Sequence, residues 1–177
     1  MKLLIAYAST EGQTRRIARF LMDRLADLGH SVELLPVGEA GDIDLARFDR
    51  VILAASVHLG HYQKDMGEFA AQNGAALDRL PVLFVSVSLA AAGHDAEDWA
   101  DLDRIVADFA QATDWHPKKV VQVAGAYRPS EYDIFRRFVM RRIVTAKDPE
   151  ADPDKDHEYT DWAALGTALD DWLTAKG

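Results

Sequence analysis

Three short segments carry the residue types and spacings from which a binding chemistry can be built. The first is Ser9-Thr10-Glu11-Gly12-Gln13-Thr14, which joins an apolar run to the start of a helical pattern. Hydroxyls, a glycine and a helix N-terminus together suit an anion. Backbone N–H groups and the helix dipole attract phosphate, and Gly12 lets the backbone come close to it. The same residues also suit a plain turn with a Ser or Thr cap, and spacing alone does not separate the two. Neither the dinucleotide fingerprint nor the Walker loop is present, because three spaced glycines and a lysine are lacking. The second segment is Ser56-Val57-His58-Leu59-Gly60-His61-Tyr62, and the third is Ser86-Val87-Ser88-Leu89. Both mix small polar groups with apolar or aromatic ones, a lining that fits a planar heteroaromatic ring.

Other chemistries are set aside by residue type. There are no cysteines, which removes disulfides, thiolate metal sites, iron–sulfur ligation and Cys nucleophiles together. His58 and His61 stand three apart on a loop with no evident third ligand, so no metal site is expected. An acidic phosphoacceptor needs carboxylates at the ends of strands one and three. Those ends read Ala6-Tyr7-Ala8 and Ala54-Ala55-Ser56.

The elements that must position these segments follow from periodicity. Apolar runs at 3–8, 31–35, 51–55, 82–87 and 120–124 read as strands. Between and after them, apolar residues recur at helical spacing. The faces are Ile17, Phe20, Leu21, Leu25 and Leu28, then Met66, Phe69, Ala70, Asn73 and Leu77, then Leu102, Ile105, Val106 and Phe109. Trp162, Leu165, Leu169, Trp172 and Leu173 form the last. Five strands alternating with helices predict a doubly wound α/β fold, with a parallel sheet and helices on both faces. In such a sheet ligands gather at the carboxyl ends of the strands, near the switch point between strands one and three, so the three segments converge. The 177 residues suit a single domain over 1–177. Residues 128–158 are anomalous: a 31-residue connection where a few loop residues suffice.

Charge is unevenly distributed. The chain has 20 Lys and Arg against 29 Asp and Glu, a formal net charge of -9 that argues against nucleic acid as a partner. From Tyr127 to Lys147, however, six basic residues face only Glu131 and Asp133; Asp148 to Glu158 then carries six acids and Lys155. In the basic stretch Ile134, Phe135, Phe138, Val139 and Ile143 fall at helical spacing, interleaved with Arg136, Arg137, Arg141 and Arg142. With Arg128, these arginines suit an anionic membrane surface or the carboxylates of a substrate. The same helix also suits ordinary packing or a homodimer contact. The acidic stretch reads as a solvated, mobile loop, so any membrane attachment is expected to be weak and salt-sensitive. The N-terminal apolar run is too short for a secretory signal and no stretch is long enough to span a bilayer, which leads to a cytoplasmic expectation.

The motifs resemble a known family. Ser9, Gly12 and Thr14 match the phosphate loop of flavodoxins, while Glu11 departs from it. The chain is more specifically similar to the bacterial quinone-dependent protoporphyrinogen IX dehydrogenases, in which an acidic residue precedes the loop glycine. That similarity rests on Glu11 to Arg15, Ala55 to Tyr62, Ser86 to Leu89, Trp115 to Pro117, Ala124 to Ala126 and Tyr159 to Trp162. It implies a flavodoxin-like five-stranded sheet of order 2-1-3-4-5, a long insertion after strand five, and FMN held by the three loops. It further implies dehydrogenation of protoporphyrinogen IX with menaquinone or ubiquinone as acceptor, in heme biosynthesis. Six electrons leave the substrate, so the flavin turns over three times. The substrate carries two propionates and the quinone lies in the bilayer, so the arginines are expected at substrate or at the cytoplasmic face of the inner membrane. No side-chain nucleophile or acid–base pair is expected, and His61 and Tyr62 are the flavin-proximal candidates by their place in the loop. The alternative is a flavodoxin-like electron carrier without its own substrate, which the acidic body favours.

Overall fold

The computed structural model describes residues 1–129 and 134–175, and for 134–139 the backbone alone. Five strands, β1 (Lys2–Ala8), β2 (Ser31–Pro36), β3 (Arg50–Ser56), β4 (Val82–Ser88) and β5 (Val120–Ala124), form one parallel sheet in the order β2-β1-β3-β4-β5. Each strand lies at or within a residue or two of the run that predicts it. Pro36 ends β2 at the sheet's edge, where a missing N–H costs least.

Alternation along the strands divides the core in two. Leu3, Ile5, Ile52, Ala54, Leu83 and Val85 pack on one face against α1 (Gln13–Asp27) and α5 (Trp162–Thr174) through Ile17, Leu21, Leu25, Leu169 and Trp172. Leu4, Ala6, Leu53 and Phe84 point the other way. They meet α2 (Lys64–Leu77) and α3 (Ala96–Thr113) through Met66, Phe69, Ala70, Leu77 and Phe109, with Trp115 beyond. Strands covered on both faces need no polar alternation, which is why they read as continuous apolar runs. Each fully buried aliphatic side chain contributes about 1.5–3 kcal/mol. Leu28, expected on the α1 face, instead stands at the C-cap after the helix and is exposed, next to Gly29, which turns the chain away with φ +81°.

The long connection holds more than a helix and a loop. Ala126–Tyr127 (β6) pairs antiparallel with His157–Glu158 (β7), and α4 (Ile134–Lys147) lies between them. Tyr127 is fully buried and gathers Val144, Leu89, Met140, Ala151 and Tyr159 into a small apolar cluster. The acidic stretch, expected as a mobile loop, is tied down along its length. Tyr127 Oη donates to the Pro153 carbonyl at 2.7 Å, Tyr159 Oη to Asp148 at 3.1 Å, and His157 Nε2 stands 2.8 Å from the Asp152 carbonyl. Its backbone polar groups thus find local partners, while Asp154 and Asp156 remain in solvent. At its return the Tyr159 N–H donates to the Gly125 carbonyl at 3.0 Å, and the Gly125 N–H donates to Ser88.

Candidate functional site

The carboxyl ends of β1, β3 and β4 bring the three segments together. After β1 the chain turns through Ser9 to Gly12, with the Gly12 N–H donating to Ser9 Oγ at 3.0 Å. Gly12 has φ +87°, a conformation that costs an L side chain about 1–2 kcal/mol, and the space where a Cβ would stand is open. It is also the N-cap of α1, so no side chain closes that helix end. By contrast α3 and α5 are capped by Asp95 and Asp161, whose carboxylates accept from Glu97 and Ala164. No Ser or Thr stands at the N-cap; Ser9 closes the turn before it instead.

A cleft of about 470 Å³ lies over this end of α1, lined by Tyr7, Ser9, Thr10, Glu11, Gly12, Arg15, Arg16 and Arg128. Three cations, the Ser9 and Thr10 hydroxyls, the Tyr7 phenol and an uncapped helix N-terminus therefore share one space, opposed among the described residues by the carboxylate of Glu11. Thr14 is buried in the first turn. Gln13 is buried too, and its amide faces the long connection: Nε2 donates to Thr160 Oγ1 at 2.9 Å, while Oε1 accepts from Arg128 at 3.1 Å. Arg16 pairs with Glu158 and lies over the Trp162 ring. Burial alone would raise the Glu158 carboxyl's pKa, but the Trp162 hydrogen bond and the Arg16 charge outweigh it and hold that carboxyl below its ordinary value.

The second loop is a two-residue hairpin. His58 and His61 exchange backbone hydrogen bonds of 2.8 and 3.1 Å around Leu59 and Gly60, which have φ +50° and +81°. Two positive φ values define the tight hairpin turn usually built from Asn-Gly, and Leu59 occupies it with its side chain 88% exposed. His58 is fixed between loops one and two, with Nε2 3.0 Å from Ser56 Oγ and Nδ1 3.8 Å from Glu11. His61 is exposed beside the turn, and the Val57 N–H donates to Val87, knitting this loop to β4.

Tyr62, expected beside the flavin, turns inward instead. Its ring meets Phe84 and Phe109 edge-on at 5.1 Å, and its hydroxyl donates to Ser86 at 2.8 Å. Burial pushes the phenol up to about 12, with the Ser86 contact working against it. Its place is beneath the loops, as a support. Ser86, Val87 and Ser88 are likewise buried; Ser88 Oγ accepts from the Ala91 N–H, and Leu89 joins the Tyr127 cluster.

Gln63 is absent from the sequence reading. It stands at the entry to α2 and donates to both Thr10 Oγ1 at 3.2 Å and Ser56 Oγ at 2.5 Å, bridging loops one and two. Among the described residues its buried Oε1 has no partner. A lone Gln after an aromatic carries no pattern that would have marked it.

The described arginine side chains fall in two places. Arg128 stands in the cleft at α1, whereas Arg141 and Arg142 are exposed on α4 with Thr145 and Ala146, and Arg141 lies 3.6 Å from Asp154. Arg136 and Arg137, with the apolar stripe Ile134 to Val139, have side chains outside the described residues. Among the described residues no cluster of three metal-ligating side chains occurs, and no helix is long and apolar enough to cross a membrane.

A five-stranded sheet of this order, with an open helix N-terminus after β1, is flavodoxin architecture. The flavodoxin domain family matches residues 4–154, and the chain belongs to it. The cofactor class of this fold is a flavin. Among individual relatives, protoporphyrinogen IX dehydrogenase (quinone) of Escherichia coli is 31% identical over 162 residues, covering 92% of this chain and 89% of that protein. A Leishmania major protein of the same name is 29% identical over 165 residues, covering 93% of this chain and 71% of its own length. Of solved structures, oxidised Flavodoxin 1 from Bacillus cereus aligns over 100% of both chains with a TM-score of 0.56 at 13% identity. A streptococcal flavodoxin aligns over 77% of this chain and 92% of its own with a TM-score of 0.51 at 22% identity. These last two speak for the fold alone.

Proposed function

We propose that this chain binds FMN in the three loops and dehydrogenates protoporphyrinogen IX, passing electrons to a quinone. The observation that carries the reading is the 31% identity to an enzyme of that name across 92% of the chain, a span that cannot skip the 31-residue connection. The donor set fits FMN: an uncapped helix end with hydroxyls and cations for the phosphate, and the buried, unpartnered Gln63 Oε1 between loops one and two as an acceptor for a polyol hydroxyl. When bound, the flavin supplies two-electron dehydrogenation. The protein's own residues bind and orient it. The His58–His61 hairpin and the Ser88–Leu89 turn are the ring's neighbours in this reading, with Gln63 and His58 fixing the distance between loops. Loss of six electrons and six protons from one porphyrinogen is balanced by three quinones becoming three quinols.

The substrate side of the site is assigned to the junction of loop three with the long connection. Leu89, Ala92, Ile143, Val144 and Tyr159 line a cleft of about 150 Å³ there, with Lys147 and Asp148 at its edge. The exposed face of α4 with Arg141 and Arg142 is the surface for substrate carboxylates and for a weak, salt-sensitive contact with the cytoplasmic face of a membrane, where menaquinone or ubiquinone is met. A homodimer through that face is a competing use, distinguished by sedimentation.

The test is anaerobic. FMN-loaded protein is mixed with protoporphyrinogen IX and a soluble quinone, and porphyrin fluorescence is followed. A rate above the protein-free control supports the enzyme. Bound FMN with no such rate supports the electron carrier, the reading favoured by the net charge of -9.

A further inference from the structure

We propose that Arg128 is the counter-charge for the cofactor's phosphate, so that the long connection, and not only loop one, determines which flavin the chain holds. The inference rests on the FMN reading above. Three observations support it. Arg128 lines the same cleft as Ser9, Thr10 and Gly12, although it lies 116 positions beyond Gly12 in the chain. Its guanidinium is held in place. Nη2 donates to Gln13 Oε1 at 3.1 Å, and Nη1 lies 3.9 Å from Asp156 at the far end of the same connection. Gln13 is itself fixed, because its Nε2 donates to Thr160 Oγ1, which donates in turn to the Ala124 carbonyl at 2.7 Å. Finally, the Arg128 side chain is only 24% exposed, so its charge is weakly screened and acts strongly on an anion beside it.

The chemistry is that of a planar guanidinium meeting a phosphate dianion, which a pre-positioned arginine binds through paired N–H groups. Arg15 and Arg16 stand at the same cleft, Arg15 exposed and Arg16 paired with Glu158 over the Trp162 face, and Arg128 is more buried than either. Among the described residues Glu11 is the one carboxylate lining the cleft, and Asp156 approaches Arg128 from outside it. Gln13 acts as a positioning residue, holding Arg128 over the end of α1 without touching the phosphate. A second consequence follows by linkage. A phosphate that holds Arg128 also holds the start of the connection, so FMN stabilises residues 128–158 and riboflavin, which lacks the phosphate, does not.

The full chain, freed of flavin by dialysis, is titrated with FMN and with riboflavin by flavin fluorescence, for the native protein, Arg128→Met and Arg128→Lys. The native chain should prefer FMN, and the preference should shrink as salt rises. Arg128→Met should weaken FMN by roughly 10-fold or more while leaving riboflavin unchanged, and Arg128→Lys should recover part of the loss. Limited proteolysis should show FMN, but not riboflavin, slowing cleavage within 128–158, with the effect lost in Arg128→Met. Equal weakening of both flavins would make Arg128 a structural clasp and overturn the proposal, as would an unchanged FMN affinity in Arg128→Met. If the native chain binds neither flavin, the cofactor reading falls and the proposal with it; native binding with unchanged selectivity in the variants removes the proposal alone.

Discussion

The sheet and the connection that leaves it are built on different physics. In the sheet, two continuous apolar clusters lie on opposite faces of the same strands, and nearly every member is buried completely. In the connection, one small cluster around Tyr127 and Val144 is supplemented by single polar clasps: Tyr127 to Pro153, Tyr159 to Asp148, Arg16 to Glu158, Gln13 to Arg128. An apolar core loses stability in proportion to the surface exposed, and unfolds as a whole. A clasped segment opens locally, one contact at a time, at a free energy below that of the whole fold. The contrast suits the proposed division of labour, with a rigid body for the flavin ring and an adaptable segment that meets the flavin phosphate and a large substrate.

The strongest way to sharpen the contrast is to damage each side once. Phe84→Ala removes a ring packed against Tyr62, Phe109 and Trp115, and should cost about 3–5 kcal/mol in urea unfolding, shared by every probe. Tyr127→Ala deletes an equally buried ring, yet its effect should be capped by the connection's own opening free energy. Hydrogen exchange should then show protection lost from α4 to β7 and kept in β1 to β5. A Tyr127→Ala protein that unfolds globally as early as Phe84→Ala would erase the distinction.

Smaller effects separate the two tyrosines. Tyr62 and Tyr159 both titrate near 12, each chiefly through burial, with Asp148 adding to the effect on Tyr159. A folded phenol raised above its unfolded value of about 10 contributes stability that is complete below pH ~10 and lost as pH climbs through about 12. Tyr62→Phe should flatten that decline in global unfolding and cost about 1 kcal/mol at neutral pH through the lost Ser86 contact. Tyr159→Phe should flatten it only in the proteolysis of residues 134–158. The smallest change is a gain: Leu59→Asn relieves a left-handed leucine and should stabilise by about 0.5–1 kcal/mol, read as a higher melting temperature. If turnover falls in the same variant, the exposed Leu59 side chain contacts substrate or quinone.

The sheet could be read from the chain because burial on both faces leaves a plain signature, runs such as Val51 to Ala55 with no polar interruption. Loop one was half legible. Its hydroxyls and glycine allowed a phosphate cradle or a capped turn, and only the fold showed that the helix starts on Gly12 and leaves its end open. Loop two was ambiguous at Tyr62, because an aromatic in a ligand loop and an aromatic anchoring that loop from below look alike in one dimension. Arg128 groups with the α4 arginines by adjacency, although Arg141 lies thirteen positions further along and the two have different surroundings. The β6–β7 pair could not be foreseen either, since two-residue strands show no period and their partners are thirty residues apart.

The hydrogen bond between the Tyr159 amide and the Gly125 carbonyl has a consequence for the history of such chains. Because the polypeptide leaves the sheet and comes back at neighbouring backbone positions, everything between them behaves as a cassette. It could lengthen, shrink or be exchanged for another segment without rethreading a strand or moving a helix of the flavin-holding body. A lineage could thus recruit one ancestral redox platform to new reactants by editing a single excursion of the chain.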